Sequence, residues 1–233
     1  MTTYVNRLGG DAPRTAEPPA GAAVAVWSLD TTLDVVGGHR VDEALRLLDA
    51  DERGRADRFV RPGDRHRYLA SHVGLRVLLG GYLGLAPEKV SLVREECPCC
   101  AEPHGRPAVA GGGVQFSLSH SEDLAYLAFA AAPVGIDVEG LPPAEAVEDV
   151  LGILHPAETR ELAALAEEDR RPVLARLWAR KEAYLKGTGT GLAQGLAEPY
   201  VGTGPTPAPL PGWRLTDLPS PPTYAAALAV RTP

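Results

Sequence analysis

Two acidic residues, Asp137 and Glu139, stand two positions apart in the stretch Gly135-Ile-Asp-Val-Glu-Gly140. On an extended strand, positions i and i+2 point to the same face, so both carboxylates would project together while Ile136 and Val138 face a core. Two carboxylates on one face repel each other unless water screens them or a cation joins them. Oxygen donors of this kind suit Mg²⁺. The plainer interpretation is a strand end carrying two solvated acids.

A second charged stretch runs Trp178-Ala-Arg-Lys-Glu-Ala-Tyr-Leu-Lys-Gly187. At helical spacing, Lys181 falls inside an apolar stripe and Glu182 at its rim. A charged side chain at such a position is unfavourable unless it has an interaction partner or a function. Glu182 and Lys186 are also an i,i+4 pair, which would add only a few tenths of a kcal/mol to the helix. The alternative is a third carboxylate for a metal and a lysine for a phosphate. The apolar stripe comprises Leu174, Leu177, Trp178 and Leu185.

A third stretch, Phe116-Ser-Leu-Ser-His-Ser121, places Ser119 beside His120. Adjacent side chains on an extended segment point to opposite faces, which disfavours a nucleophile–base pair. A Ser/His hydrolase would also need an orienting acid and an oxyanion hole, and the sequence has no Gly-x-Ser-x-Gly. We therefore expect anion contacts here.

The three cysteines are clustered as Cys97-Pro-Cys99-Cys100, with His104 close behind. Three cysteines cannot build a disulfide framework. The C-x-x-C with a nearby histidine is typical of a zinc site that lacks one ligand unless Cys99 joins. Between a structural zinc site and reduced loop cysteines, the sequence favours reduced cysteines.

The elements that must position these groups follow from pattern and composition. The chain has 233 residues, 45% apolar residues and a net charge of −7, which fits an ordinary globular protein and disfavours a nucleic-acid binder. The start shows no secretory signal and no run could span a bilayer, so we expect a cytoplasmic protein. Residues 1–22 are expected to be a flexible leader. The patterns predict strands at 24–29, 213–215 and 224–230, helices at 41–48, 156–165 and 173–186, a helix capped by Asp64 that continues to Leu83, and a hairpin over 116–139 with its turn at Pro133.

Taken together, the stretches Gly135–Glu139, Trp178–Lys186 and Phe116–Ser121, with Gly105-Arg106-Pro107 upstream, resemble the Sfp-type 4′-phosphopantetheinyl transferases. The likeness runs from about Asp51 to Leu192. It implies transfer of the 4′-phosphopantetheine arm of coenzyme A to a serine of an acyl or peptidyl carrier protein, with release of adenosine 3′,5′-bisphosphate. Such carriers serve non-ribosomal peptide, polyketide or fatty-acid synthesis.

The resemblance also implies roles for individual residues. Asp137, Glu139 and Glu182 would hold Mg²⁺, with Mn²⁺ as an alternative. Lys186 would contact a phosphate, and Glu182 would help to deprotonate the carrier serine, directly or through a metal-bound water. The coenzyme A contacts implied by the resemblance are Arg55, Arg67, Arg106, Pro107, Ser119, His120 and Lys186.

A basic stretch between residues 53 and 67 agrees with an anionic ligand, because six arginines outnumber two aspartates there. Some of these arginines would only solvate a helix face. Glu52 stands where the resemblance implies that many family members carry a base, so the chain departs from the family's phosphate-binding pattern there. The arginines are Arg53, Arg55, Arg58, Arg61, Arg65 and Arg67.

For the fold, the resemblance implies an α+β protein of two similar-sized α/β halves related by a pseudo-twofold. The N-terminal half would span 23–115 and the C-terminal half, carrying the metal site, 116–233. We expect a monomer that binds neither nucleic acid nor membrane. Two other functions fit the same ligands: a coenzyme A-binding paralogue without activity, and a metal-dependent hydrolase of nucleotide pyrophosphates.

Overall fold

The computed structural model describes residues 4–13, 17–191 and 195–233. They form a mixed α/β structure that divides into two compact units. Unit 1 comprises residues 1–93 and 108–131, and unit 2 comprises residues 94–107 and 132–233, in both cases for the described residues. The strands are β1 (Val5–Leu8), β2 (Val24–Asp30), β3 (Val35–Val36), β4 (His39–Arg40), β5 (Leu92–Arg94), β6 (Pro107–Val109), β7 (Gln115–Ser121), β8 (Leu124–Ala130), β9 (Val134–Gly140), β10 (Trp213–Leu218) and β11 (Tyr224–Arg231). The α-helices are α1 (Ala50–Ala56), α2 (Pro62–Leu83), α3 (Ala146–Val150), α4 (Pro156–Ala163) and α5 (Glu167–Thr188).

Unit 1 is built on a four-stranded sheet in the order β1-β2-β8-β7. β1 pairs in parallel with β2, so residues 5–8 are a strand rather than a flexible leader. Residues 1–3 and 14–16 of the expected leader lie outside the described residues. β8 pairs antiparallel with both β2 and β7, which places residues 116–131 in unit 1. These units therefore differ from the halves expected to meet at 115/116.

Helix α2 supplies much of the unit 1 core and is 22 residues long. Pro62 occupies the first helical turn, where its missing N–H costs nothing, so the helix begins there and not at a cap on Asp64. Gly84, with φ of 66°, ends it in the left-handed conformation that favours glycine. The segment expected to be a helix over 41–48 is instead a 3₁₀ turn, Val41–Arg46.

Glu52 is a structural residue of unit 1. Its carboxylate and that of Asp49 form a reciprocal cap on α1. The same carboxylate accepts hydrogen bonds from Arg76 at 2.7 Å and lies 2.8 Å from a ring nitrogen of His72. Burial alone would raise the pKa of Glu52, but the hydrogen bonds with His72 and Arg76 outweigh burial and lower it. The Glu52 carboxylate is therefore held by residues of unit 1.

Unit 2 is built on the antiparallel sheet β10-β11-β9, with α5 packed on β9 and β11. β9 pairs with β11, not with β8, so the hairpin predicted over 116–139 is wrong. The hairpin is β7–β8, and Pro133 instead precedes a strand of the other sheet. Among the described ranges, no helix combines the length and the apolar character needed to cross a membrane.

Candidate active site

Strand β9 and helix α5 make an unusually close backbone contact at Gly135 and Gly187. A Cβ atom added to Gly135 would overlap the Ala183 carbonyl oxygen and the Gly187 nitrogen, and would lie 2.9 Å from the Gly187 Cα. A Cβ added to Gly187 would lie 2.6 Å from the Trp213 ring. Only glycine fits at both positions, so these two residues set the spacing between strand and helix.

This contact brings the predicted acidic residues of β9 next to those of α5. Asp137 is buried, and its Oδ1 accepts a hydrogen bond of 2.5 Å from the Nζ of Lys186. Lys186 thus pairs with an acid on the neighbouring strand. In the described part of the chain, Glu182 makes no hydrogen bond or ion pair, so the helix-stabilising i,i+4 pair with Lys186 is not formed.

The site contains three carboxylates and one lysine, and their charges shift the pKa values of the two glutamates. Burial, followed by the charge of Asp137, raises the pKa of Glu139 to about 7, although Lys186 opposes the shift. Burial and then Asp137 also raise the pKa of Glu182. The charge of Asp137 therefore makes both glutamates harder to ionise, and a cation at this place would relieve the repulsion.

The donor set fits a hard divalent cation. All three side chains offer oxygen, the ligand type that Mg²⁺ prefers. Glu139 and Glu182 are half-buried and, within the described residues, have no hydrogen-bond partner. The three carboxylates are less tightly gathered than a second group, Cys97, Cys100 and His104, whose ligand atoms all lie within 4.8 Å of one another.

Lys181, the charged residue predicted inside the apolar stripe, is fully buried and pairs with Glu158 of α4. Its Nζ also donates to the carbonyl oxygens of Leu196 and Pro199 at 2.8 and 2.5 Å. Burial lowers the pKa of Lys181, and the hydrogen bond to Glu158 counters that effect. Lys181 is thus a structural residue that holds the chain after α5.

Arg106 and Pro107 also belong to unit 2. The Arg106 guanidinium donates to both carboxylate oxygens of Glu95, at 2.6 and 3.2 Å, and to the Gly187 carbonyl at 3.3 Å. Arg106 therefore contacts the end of the helix that carries Glu182 and Lys186. Glu95 was missed by the sequence reasoning, because only the pairing of its backbone with Arg106 places the two side chains together.

The other predicted coenzyme A contacts lie in unit 1. Arg67 on α2 pairs with Asp123 at 2.7 Å and with Asp64 at 3.4 Å. Arg55 is exposed on α1 and forms no ion pair with any residue the structure describes. On β7, Ser119 is buried and His120 is exposed, as their opposite faces predict.

Comparison with known proteins identifies relatives of this chain. A family model for the 4′-phosphopantetheinyl transferase superfamily matches residues 133–229, the range that contains β9 and α5. The chain is 38% identical over 201 residues to the 4′-phosphopantetheinyl transferase HetI of Nostoc sp., covering 82% of this chain and 81% of that protein. It is 27% identical over 176 residues to a putative 4′-phosphopantetheinyl transferase of Synechocystis sp. (73% and 67% covered). It is 25% identical over 150 residues to the 4′-phosphopantetheinyl transferase Sfp of Bacillus subtilis (64% and 63% covered).

These similarities define the class of protein. The chain belongs to the 4′-phosphopantetheinyl transferase superfamily, as its motifs predict. It is an enzyme, a 4′-phosphopantetheinyl transferase. The expected pseudo-twofold relation between two halves stays a prediction.

Proposed function

We propose that this enzyme transfers the 4′-phosphopantetheine arm of coenzyme A to a serine of an acyl or peptidyl carrier protein, in a Mg²⁺-dependent reaction that releases adenosine 3′,5′-bisphosphate. The observation that carries the proposal is the meeting of Asp137 and Glu139 with Glu182 and Lys186 where β9 and α5 touch. Carboxylates for a cation and a lysine for a phosphate are what displacement at phosphorus requires.

Asp137, Glu139 and Glu182 would hold the cation. When bound, Mg²⁺ would offset the negative charge that grows on the leaving phosphate. The raised pKa of Glu139, about 7, comes from burial and from the neighbouring Asp137. Protonated Glu139 is a poor ligand, so the three residues would be fully ionised only above neutral pH or with a cation present.

Lys186 would serve the pyrophosphate of coenzyme A. Its side chain is 32% accessible, while that of its partner Asp137 is only 3% accessible. The buried carboxylate therefore fixes the position of the ammonium group. A lysine held in this way needs little rearrangement as charge develops on the substrate.

Glu182 would accept the proton of the carrier serine. The serine Oγ would form a bond to the phosphorus next to the pantetheine, the bond from that phosphorus to the bridging oxygen would break, and the electron pair would leave with adenosine 3′,5′-bisphosphate. The hydroxyl proton would pass to the Glu182 carboxylate. Burial and the charge of Asp137 raise the pKa of Glu182, which makes this carboxylate a stronger base than an exposed one.

The nucleotide end of coenzyme A would meet arginines. Arg106 would contact the adenine or its phosphate, since its planar guanidinium is held by Glu95 and the Gly187 carbonyl. Arg55 and Arg67 would bind phosphate, and Ser119, His120 and Pro107 would complete the contacts. Of the two arginines, Arg55 is the one without an acidic partner in the described ranges, so it is the freer charge.

The experiment is a mass measurement on a purified apo-carrier protein incubated with enzyme, coenzyme A and Mg²⁺. We expect one phosphopantetheine per carrier serine, and near-complete loss of transfer in Asp137→Ala and Glu182→Gln. Glu168→Gln, an exposed acid in the first turn of the same helix, is the matched control and should react normally. No mass gain on any of several carriers, or normal turnover in both site variants, would refute the proposal. Release of adenosine 3′,5′-bisphosphate without a carrier would instead indicate a hydrolase.

A further inference from the structure

A second group of metal-ligating atoms lies apart from the acidic site, at the tip of the segment that joins β5 to β6. The Sγ atoms of Cys97 and Cys100 and a ring nitrogen of His104 all lie within 4.8 Å of one another. The Cys100 Sγ and the His104 Nε2 are 3.0 Å apart. Cys97 is buried, whereas Cys100 and His104 are exposed.

The backbone around these residues is folded back on itself. The Cys97 N–H donates to the Glu102 carbonyl and the Ala101 N–H donates to the Cys97 carbonyl, both at 2.8 Å. Ala101 has φ of 60°, a left-handed conformation that is costly for a residue with a Cβ and persists only where the surroundings demand it. In this turn the Sγ atoms of Cys97 and Cys100 lie within 4.8 Å of each other.

Cys99 lies outside this group of ligand atoms, and it is exposed.

The dimensions suit zinc. With Zn–S near 2.3 Å and Zn–N near 2.0–2.1 Å, a tetrahedral ion requires ligand atoms roughly 3.6 to 3.8 Å apart. The three ligand atoms are already within 4.8 Å of one another, and the Cys100 Sγ and His104 Nε2 are 3.0 Å apart. Side-chain shifts of under about 1 Å would therefore complete the geometry, without any change in the turn.

We infer that Cys97, Cys100 and His104 form a Zn²⁺ site that closes the 94–107 segment, with water in the fourth position and Cys99 outside the ligand set. This geometry favours a metal site over the reduced loop cysteines expected from the sequence. The inference does not depend on the transferase reaction proposed above, because none of the three residues belongs to the acidic site.

The zinc site would also help to fix Arg106, because backbone hydrogen bonds join the two ends of the same segment, here called its stem. The Glu95 N–H donates to the Arg106 carbonyl at 3.0 Å, and the Gly105 N–H donates to the Glu95 carbonyl at 2.9 Å. Gly105 permits this close approach, since a Cβ there would lie 2.6 Å from the Glu95 carbonyl oxygen. A metal at the tip and hydrogen bonds at the stem would together fix the side chain that contacts the end of α5.

The test uses full-length protein without a histidine tag, purified in reducing buffer without chelator and given one equivalent of Zn²⁺. After gel filtration we expect one zinc per chain by elemental analysis. Cys97→Ser, Cys100→Ser and His104→Ala should each weaken zinc binding by at least ~100-fold in a competition titration with a chromogenic chelator. Cys99→Ser is the matched control and should retain one zinc per chain.

Cobalt(II) distinguishes this site from the acidic one, because only thiolate ligands produce a sulfur-to-cobalt charge-transfer band. We expect that band in the parent protein and in Cys99→Ser, and its loss in Cys97→Ser. His104 is exposed, so His104→Ala should keep the parent circular dichroism spectrum and separate ligand loss from unfolding. Absence of retained zinc in the parent, a cobalt spectrum without the charge-transfer band, or equal loss of metal in Cys99→Ser would overturn the assignment.

Discussion

The close contact between Gly135 and Gly187 can be tested with a single methyl group. In Gly135→Ala the new Cβ would lie 2.9 Å from the Gly187 Cα and nearer still to the Ala183 carbonyl oxygen. Carbon atoms prefer separations of about 3.5 to 4.0 Å, so α5 must move away from β9 by roughly 1 Å or more. Backbone atoms on both sides leave no flexible side chain to absorb the change.

The expected cost has two parts. Overpacking of this kind destabilises a protein by about 1 to 3 kcal/mol. The same displacement would separate Lys186 and Glu182 from Asp137, whose Oδ1 is 2.5 Å from the Lys186 Nζ. A misplacement of about 1 Å commonly costs about 100-fold in rate, which corresponds to ~2.7 kcal/mol of transition-state stabilisation.

The assay compares kcat/KM for phosphopantetheine transfer with urea unfolding of the same samples. Gly152→Ala is the matched control, because a Cβ there meets no heavy atom within 4 Å; it should change neither quantity by more than ~0.5 kcal/mol. Transfer by Gly135→Ala within threefold of the parent would refute the argument that this contact positions the site. Reduced stability with normal kcat/KM would show that the glycine serves packing alone.

Three further predictions concern residues with defined partners. Lys181→Met should lower the free energy of unfolding in urea by ~3 to 5 kcal/mol, because it leaves the Glu158 carboxylate buried without its cation. The double variant Lys181→Met/Glu158→Gln should recover part of that loss. An equal or greater loss in the double variant would contradict this prediction. The folded pKa of Glu52 lies below its usual value of 4.5, so the stability that Glu52 contributes is present above about pH 4.5 and is lost as the pH falls through the folded pKa. Glu52→Gln, which leaves Arg76 buried, should lower the urea midpoint at pH 7. The midpoint of this variant should also fall less steeply than that of the parent between about pH 5 and 3. If the midpoint depends on pH as it does in the parent, Glu52 is not the group that causes the decline. Arg106→Lys keeps the charge but loses the paired hydrogen bonds, so the KM for coenzyme A should rise about tenfold with kcat nearly unchanged; a fall in kcat at constant KM would show a different role.

Local sequence patterns were sufficient to predict how residues on the same strand or the same helix are placed relative to one another. The i, i+2 spacing predicted that Asp137 and Glu139 lie on one face, and the charge of Asp137 adds to burial in raising the pKa of Glu139. The apolar stripe of α5 predicted that Lys181 needs a partner. The identity of that partner, Glu158, could not be predicted, because it lies on another helix and only tertiary packing brings it near.

The sequence did not predict which strands and side chains from distant parts of the chain come together. Pro133 looked like a hairpin turn because turn signals are local, while the true partner of β9 is β11, far along the chain. Likewise the cysteine spacing left the metal site open, because a C-x-x-C does not state whether the turn brings His104 to the sulfurs. In the structure, the Cys97 N–H donates to the Glu102 carbonyl across the turn, and the His104 Nε2 lies 3.0 Å from the Cys100 Sγ.

The pairing of β9 with β11 has a consequence for synthesis. β11 begins roughly 85 residues after β9 ends, so at 5–20 residues per second the ribosome would need about 4 to 17 s to supply the partner strand. During that delay the edge of β9 has no partner strand and could form backbone hydrogen bonds with another nascent chain. The apolar residues of this strand include Val134, Ile136 and Val138. Asp137 and Glu139 alternate with those residues and place negative charge on the exposed edge. The acids proposed to bind metal in the finished enzyme would therefore also discourage aggregation while the chain is being made.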